Sequence, residues 1–239
     1  MSSLQFKAST DGSNEPVDQA IIKGSLFKMT SKDRLKLGDG PTFTLQVGET
    51  TITREFPKRA AMGMSVFWNE VLSKHGHSSV IMLHPSQVNE KQVRVLTDYI
   101  VSNSKTKNPF SIRVPETLCE LVELYRHTQL FGMSVPAGDL RSRLLDHLRS
   151  NESVSYVALE SMVKLSATDV CYKAVVRKIE GLVHIGCLDN DEEWKSWVSC
   201  HPSFAADMSS WQAERRKRQK DAKIAQKKIN WEKDFPPLV

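Results

Sequence analysis

Apolar and polar residues alternate over residues 43–47, which read FTLQV. A period of two is typical of a half-buried strand. A second segment, residues 51–56, is rich in β-branched side chains and ends at Pro57, which cannot continue a strand ladder. A turn sequence separates the two segments, so the pattern predicts a β-hairpin. The short apolar segment 79–83 predicts a third strand.

After the hairpin, apolar residues recur every three or four positions, which indicates amphipathic helices. The first predicted helix covers residues 58–73, with Val66 facing inward. Asn89 is a predicted N-cap of the next helix. Pro115 is predicted to occupy the first position of a further helix, and residues 112–114 just before it are predicted as a short fourth strand.

The C-terminal third of the chain continues the helical pattern. Two helices are predicted over residues 154–165 and 169–183, paired as a helical hairpin. A short helix over 190–199 follows, and its two tryptophans are expected to pack against the rest of the chain rather than to anchor a partner. Residues 205–232 favour one long helix with a thin apolar stripe.

These elements predict an α+β fold: a small three- to four-stranded sheet flanked by helices, with a helical C-terminal extension. We expect a flexible N-terminal arm (1–40), because its first residues are too polar to bury much surface, then a core domain (41–150), a helical extension (151–204) and a basic helical or disordered tail (205–239). The predicted core consists of Phe43, Leu45, Val47, Ile52, Phe56, Val66, Ile81, Leu83, Val93, Leu96, Ile100, Leu121, Val122, Tyr125 and Leu144.

Composition narrows the class of protein. The chain has 239 residues, of which 40% are hydrophobic, so a sizeable core can be buried. No apolar run reaches about 18 residues, so no membrane partner is expected. The four cysteines are sparse and irregularly spaced. That usage favours reduced thiols in an intracellular protein, nuclear or cytoplasmic.

The net charge of +5 is concentrated at the C-terminal end. Residues 211–239 hold nine basic and four acidic residues, an excess of five, so the rest of the chain is formally neutral. A neutral body argues against nucleic-acid binding by the globular part. The tail carries a basic block for which three interpretations stay open: a nuclear-import signal, a contact to a nucleic-acid backbone, or a solvated helix face. The block consists of Arg215, Arg216, Lys217, Arg218 and Lys220.

No catalytic residue, cofactor or metal site is predicted. The sequence lacks a glycine-rich phosphate loop and a nucleophile signature, so we do not expect an enzyme. Near the C-terminus, His184, Cys187, Cys200 and His201 are of the residue types that bind zinc. Their spacing is unlike that of the common C-x-x-C pairs, and two buried thiols beside ordinary surface histidines are the alternative. The sequence leaves both open.

The order of elements over residues 43–150 resembles the BTB/POZ and S-phase-kinase-associated superfamily. Ser65-Val66-Phe67-Trp68 matches the family's Ser–x–x–aromatic element, and residues 95–100, which read VLTDYI, look like its helix ending in tyrosine and isoleucine. Many members have an aspartate before the first strand and a histidine after the second, where this chain has Thr42 and Pro57. In the family those polar residues serve a central interface, so their absence makes the usual homodimer less expected.

The resemblance implies an adaptor that joins proteins, through self-association or through a cullin or regulatory protein of a ubiquitin ligase complex. Cullin-binding adaptors often carry an apolar–x–acid element, and Val114-Pro115-Glu116 has that form. Val114 and Glu116 are therefore candidate cullin contacts, and a strand end followed by a helix start is the alternative. A second hypothesis is a nuclear transcription- or chromatin-associated regulator whose basic tail contacts nucleic acid.

Overall fold

The fold is taken from a computed structural model, which describes residues 4–9, 29–150, 153–188 and 191–234, with side chains described as far as Lys227. The remaining parts of the predicted N-terminal arm, residues 1–3 and 10–28, lie outside the described residues. The chain divides into two compact units, Met1–His147 and Leu148–Val239. The fold is α+β, with one small mixed sheet and many helices.

The elements follow one another in a simple order, and all the described strands lie in the first unit. In chain order they are β1 (Phe6–Ser9), α1 (Ser31–Lys36), β2 (Thr42–Val47), β3 (Thr50–Pro57), α2 (Lys58–Met64), α3 (Val66–Lys74), β4 (Val80–Leu83), α4 (Glu90–Ser104), α5 (Leu118–Leu130), α6 (Ser134–Arg149), α7 (Tyr156–Met162), α8 (Val170–His184), α9 (Glu192–Cys200) and α10 (Pro202–Asp234).

The sheet has the strand order β1-β4-β2-β3. The predicted hairpin is confirmed as antiparallel β2 and β3, and Gly48 closes its turn with φ +55°. The predicted third strand is β4, which runs parallel to β2. Strand β1 was not predicted: it lies in the segment assigned to the flexible arm. It is only four residues long and mostly exposed, and it pairs antiparallel with β4, where Phe6 is opposite Leu83.

The predicted core is confirmed at every position except Val66, which is 59% exposed. The predicted helix over 58–73 is in fact two helices, because Ser65 is extended (φ −143°, ψ 126°) between α2 and α3. Its hydroxyl accepts a hydrogen bond from the Trp68 N–H at 3.1 Å and donates one to the Phe131 carbonyl at 2.6 Å. The break rotates α3 so that Trp68, not Val66, enters the core, beside the rings of Phe43 and Phe131.

Two predicted features around the start of α5 are wrong. Residues 112–114 form no strand, and Pro115 does not begin the helix. Thr117 is the N-cap instead, with its hydroxyl accepting from the Glu120 N–H at 3.3 Å. The segment before it stays irregular because it pairs with no described strand of the sheet, although Ile112 is buried. The predicted N-cap at Asn89 is confirmed.

The second unit contains the four helices predicted from the C-terminal third, with boundaries shifted by a few residues. Trp194 and Trp197 are buried and stacked, with ring centroids 5.7 Å apart, which confirms that they pack within the chain. Helix α10 packs on α8, where Tyr172 donates a hydrogen bond to Asp207 at 2.6 Å and Phe204 is fully buried. The long C-terminal helix is therefore anchored over its first part.

Leu96→Ala should destabilise the first unit by roughly 2–5 kcal/mol, because Leu96 is 3% exposed and its removal leaves a cavity. Val66→Ala is the matched control and should cost well under 1 kcal/mol, since that side chain is mostly exposed. Urea unfolding of the two variants measures both values. Equal losses at the two positions would contradict the described packing of α3 and α4.

Gly132→Ala should destabilise the chain by roughly 1–3 kcal/mol. Gly132 has φ +61°, and an added Cβ would lie 2.8 Å from the Cβ of Val66, where α3 begins. Gly138→Ala is the control, because Gly138 lies inside α6 with open space around it and alanine there should stabilise by about 0.5–1 kcal/mol. Thermal unfolding should show a lower free energy of unfolding for Gly132→Ala and a higher one for Gly138→Ala. A stabilised Gly132→Ala variant would be inconsistent with the turn geometry.

Candidate functional site

A groove of about 590 Å³ lies between α4, α5 and the irregular segment that connects them. Its apolar lining comes from all three parts: Val95 and Tyr99 on α4, Phe110 and Val114 on the connecting segment, and Leu124 on α5. Charged groups lie around this lining, among them Lys91, Asp98, Arg113, Glu116 and Glu120. An apolar cleft with a few polar groups is the common form of a binding site.

The connecting segment is fixed to α4 by one buried amide. The Asn103 side chain donates to the Tyr99 carbonyl at 3.0 Å and to the Phe110 carbonyl at 3.4 Å. Its oxygen accepts from the Phe110 N–H at 3.0 Å. Because Asn103 is fully buried, these bonds are shielded from water. The backbone of Phe110 is therefore held, while its ring, 43% exposed, stands edge-on to Tyr99.

The other end of the groove is fixed by a buried imidazole. Nε2 of His127, on α5, accepts a hydrogen bond from the backbone N–H of Asn89 at 2.8 Å. The proton of the neutral ring is then on Nδ1, which donates to the Glu123 carbonyl at 2.7 Å. Burial lowers the pKa of His127 to about 4. The ring is thus neutral at physiological pH and joins the N-terminus of α4 to α5.

Polar contacts also set the electrostatics of the groove walls. Lys91 on α4 forms an ion pair with Glu120 on α5, across the top of the groove. Burial raises the pKa of Tyr99 to about 12, with a further contribution from the charge of Asp139. Its phenol therefore stays neutral and presents an uncharged ring to the apolar lining.

Both predicted cullin contacts line this groove. Val114 is half-buried and Glu116 is exposed, and each lies just before the N-cap of α5. The structure therefore brings the apolar–x–acid element into the groove wall, in an irregular segment rather than at a strand end. Sequence reasoning did not identify Asn103, Phe110 or His127. An asparagine near a helix end, a lone phenylalanine in a polar loop and a histidine on an apolar helix face carry no pattern of their own.

The basic block of the tail is not uniformly exposed. Arg215 is half-buried, and its guanidinium pairs with the buried carboxylate of Glu180 on α8 at 3.0 Å. Arg218 pairs with Glu214 at 2.5 Å and lies over the Trp211 ring, 5.4 Å from its centroid. These two arginines hold or line the α8–α10 contact. Arg216, Lys217 and Lys220 are exposed.

The four residues of zinc-binding type are not brought together. No cluster of three or more histidine, cysteine or acidic residues is found among the described residues. The His201 ring is engaged within the second unit: Nε2 lies 3.1 Å from Glu160, Nδ1 lies 2.8 Å from the Trp197 carbonyl, and the ring stacks on Trp197. Cys187 and Cys200 are exposed free thiols, so the alternative of two buried thiols is wrong.

Comparison of the chain with protein-family models, curated proteins and solved structures gave no match. Among the described residues, no helix combines the length and the apolar character that a membrane crossing requires.

The stability of the chain should fall as pH drops from about 6.5 towards 4. The pKa of His127 is about 4 when folded and 6.5 ordinarily, so in this window the unfolded chain binds a proton that the folded chain does not. Stability is complete above pH 6.5, and between pH 7 and pH 5 the loss should be about 2 kcal/mol.

Urea unfolding at a series of pH values measures this slope, with His127→Gln as the variant that lacks the titrating group. The variant should be less stable throughout but flatter between pH 6.5 and 5. An NMR titration that gave His127 a pKa above 6 in the folded chain, or parallel pH profiles for the two proteins, would contradict the described contacts.

Proposed function

We propose that this chain is a protein–protein interaction module of the BTB type and that it binds a partner protein through the groove between α4 and α5. The observation that carries the proposal is the groove itself. Its walls are fixed by the buried polar contacts of Asn103 and His127, while Phe110 stays exposed beside it. A pre-formed apolar groove binds its partner with little reorganisation, which lowers the cost of association.

The order of elements supports the BTB interpretation. A hairpin (β2 and β3), a helix pair (α2 and α3), a strand (β4) and the helices α4 to α6 follow one another as the resemblance implies. The Ser–x–x–aromatic element also has a physical role here: Ser65 caps α3 and Trp68, three residues later, fills the core. The two residues therefore set the position of α3 together.

The chemistry of the groove indicates the kind of partner segment. Tyr99 and Leu124 are buried below the opening and supply an apolar floor. Asp98 and Glu116 are exposed at the edge, whereas Glu120 is already paired with Lys91. A helical segment with one apolar anchor and a flanking lysine or arginine would fill the floor and face these two exposed carboxylates. By resemblance, the partner is a cullin and the chain is a substrate adaptor of a ubiquitin ligase.

Affinity purification with mass spectrometry tests this proposal, using the full chain and two groove variants. Phe110→Ala removes the exposed anchor and Glu116→Lys reverses a charge at the groove edge. Each should reduce recovery of the main partner by on the order of tenfold or more, as expected for a central contact. Glu49→Lys, the same charge reversal on the exposed β2–β3 turn, is the matched control and should leave recovery unchanged.

Thermal unfolding of each variant confirms that the fold survives. Recovery of a cullin that depends on Phe110 and Glu116 would support the adaptor role. Recovery of a different partner that also depends on Phe110 and Glu116 would support binding at the groove and would refute the cullin as the partner. Partners that are retained equally by all three variants would refute binding at the groove.

A further inference from the structure

Helix α10 carries a row of basic side chains that differs from the basic block predicted from the sequence. Arg216, Lys220, Lys223 and Lys227 follow one another at spacings of four, three and four residues, and all four are exposed. At 3.6 residues per turn they fall within an arc of roughly 60° on the helix surface and extend over roughly 16 Å of its axis. We call these four residues the basic stripe.

The stripe faces away from the side of α10 that packs on α8. Trp211 receives the Arg177 guanidinium of α8 on its ring at 4.1 Å, and Arg215 pairs with Glu180. Both residues lie roughly 110–150° around the helix from the middle of the stripe. The packing of the second unit therefore leaves the stripe in solvent.

Acidic residues are separated from the stripe in the same way. Glu214 and Asp221 are the acidic residues on the part of α10 around the stripe, and they lie roughly 130–150° away from it. Glu214 is also paired with Arg218, outside the stripe. No stripe residue forms an ion pair with a described residue. The charged residues on this side of α10 are thus all basic, whereas an ordinary solvated helix carries acidic and basic residues interspersed.

We propose that the basic stripe binds the phosphate backbone of nucleic acid without reading its sequence. A duplex carries one negative charge for about every 1.7 Å of its axis when both strands are counted, so roughly 16 Å of duplex carries about ten phosphates, more than the four cations of the stripe need. Each of the four cations can contact a phosphate oxygen, and phosphate contacts position a protein on nucleic acid without reading its sequence. This site is independent of the groove between α4 and α5.

Other anionic partners fit the stripe less well. A membrane-surface helix presents a broad apolar face beside its basic residues, but Ile224 is the single large apolar side chain exposed on the described part of α10. An acidic protein partner needs aromatic or apolar anchors near the charges, and Trp211 is turned towards α8 instead. Nucleic acid, a regular polyanion, needs neither an apolar face nor apolar anchors beside the basic residues.

The test measures binding of the full chain to a 20-base-pair duplex by fluorescence anisotropy at several salt concentrations. The stripe variant is Arg216→Gln, Lys220→Gln, Lys223→Gln and Lys227→Gln, because glutamine keeps the helix propensity and removes the charge. The control variant replaces four exposed lysines outside α10 by glutamine, which gives the same change in net charge: Lys32, Lys74, Lys164 and Lys173. Circular dichroism verifies the helix content of both.

For four phosphate contacts the logarithm of affinity should fall against the logarithm of salt with a slope of roughly −3.6, about a 100-fold loss between 50 and 200 mM. The stripe variant should lose that slope and at least tenfold in affinity, while the control variant keeps both and duplexes of unrelated sequence bind alike. Equal losses in the two variants, or no binding by the unaltered chain, would refute the site. Tighter binding to polyglutamate than to the duplex would assign the stripe to an acidic protein instead.

Discussion

The hydrogen bonds of one buried neutral imidazole set the distance between α4 and α5, and the candidate groove depends on that distance. His127 accepts from the backbone of Asn89 and donates to its own helix, so it uses both nitrogens without a charge. A protonated ring could not accept from Asn89, and a buried charge would carry a large desolvation penalty. The groove walls are therefore fixed only while the ring stays neutral, as it does near pH 7.

A second buried polar group, the side chain of Asn103, also fixes the walls of the groove. Asn103 binds the backbone of Tyr99 in α4 and of Phe110 in the connecting segment, and so holds Phe110 at the groove edge. Removing either polar partner would leave buried donors or acceptors without a bond, which costs more than the bond itself contributes. The apolar groove is thus maintained by polar contacts behind its lining. A surface built in this way keeps its shape without a partner, and this rigidity supports the proposed binding role.

Patterns along the chain predicted much of the fold because periodicity reports burial directly. The hairpin, β4, the helical core positions and the four C-terminal helices all follow from apolar spacing. Three features did not, and each depends on a contact distant in sequence. Strand β1 pairs with β4, Ser65 interrupts a helical pattern through Phe131, and residues 112–114 have no described partner strand in the sheet. Local propensity carries no information about such contacts.

The same distinction applies to the candidate sites. The apolar–x–acid element and the basic block are visible in the sequence, but the groove that contains Val114 and the inward pairing of Arg215 are properties of packing. The basic stripe shows the difference most clearly. Its four residues are spread over twelve positions of the chain, and the block of adjacent basic residues near its start masks their helical spacing.

Photo-crosslinking at the groove tests the central claim most directly. Phe110 is replaced by the photoreactive benzoylphenylalanine in the full chain, and the same substitution at Val170, an exposed position on α8, serves as the control. Irradiation in cells followed by mass spectrometry should join position 110, and not position 170, to one recurrent partner protein. Crosslinks that are absent at both positions, or that recover the same proteins from both, would contradict a partner-binding groove between α4 and α5.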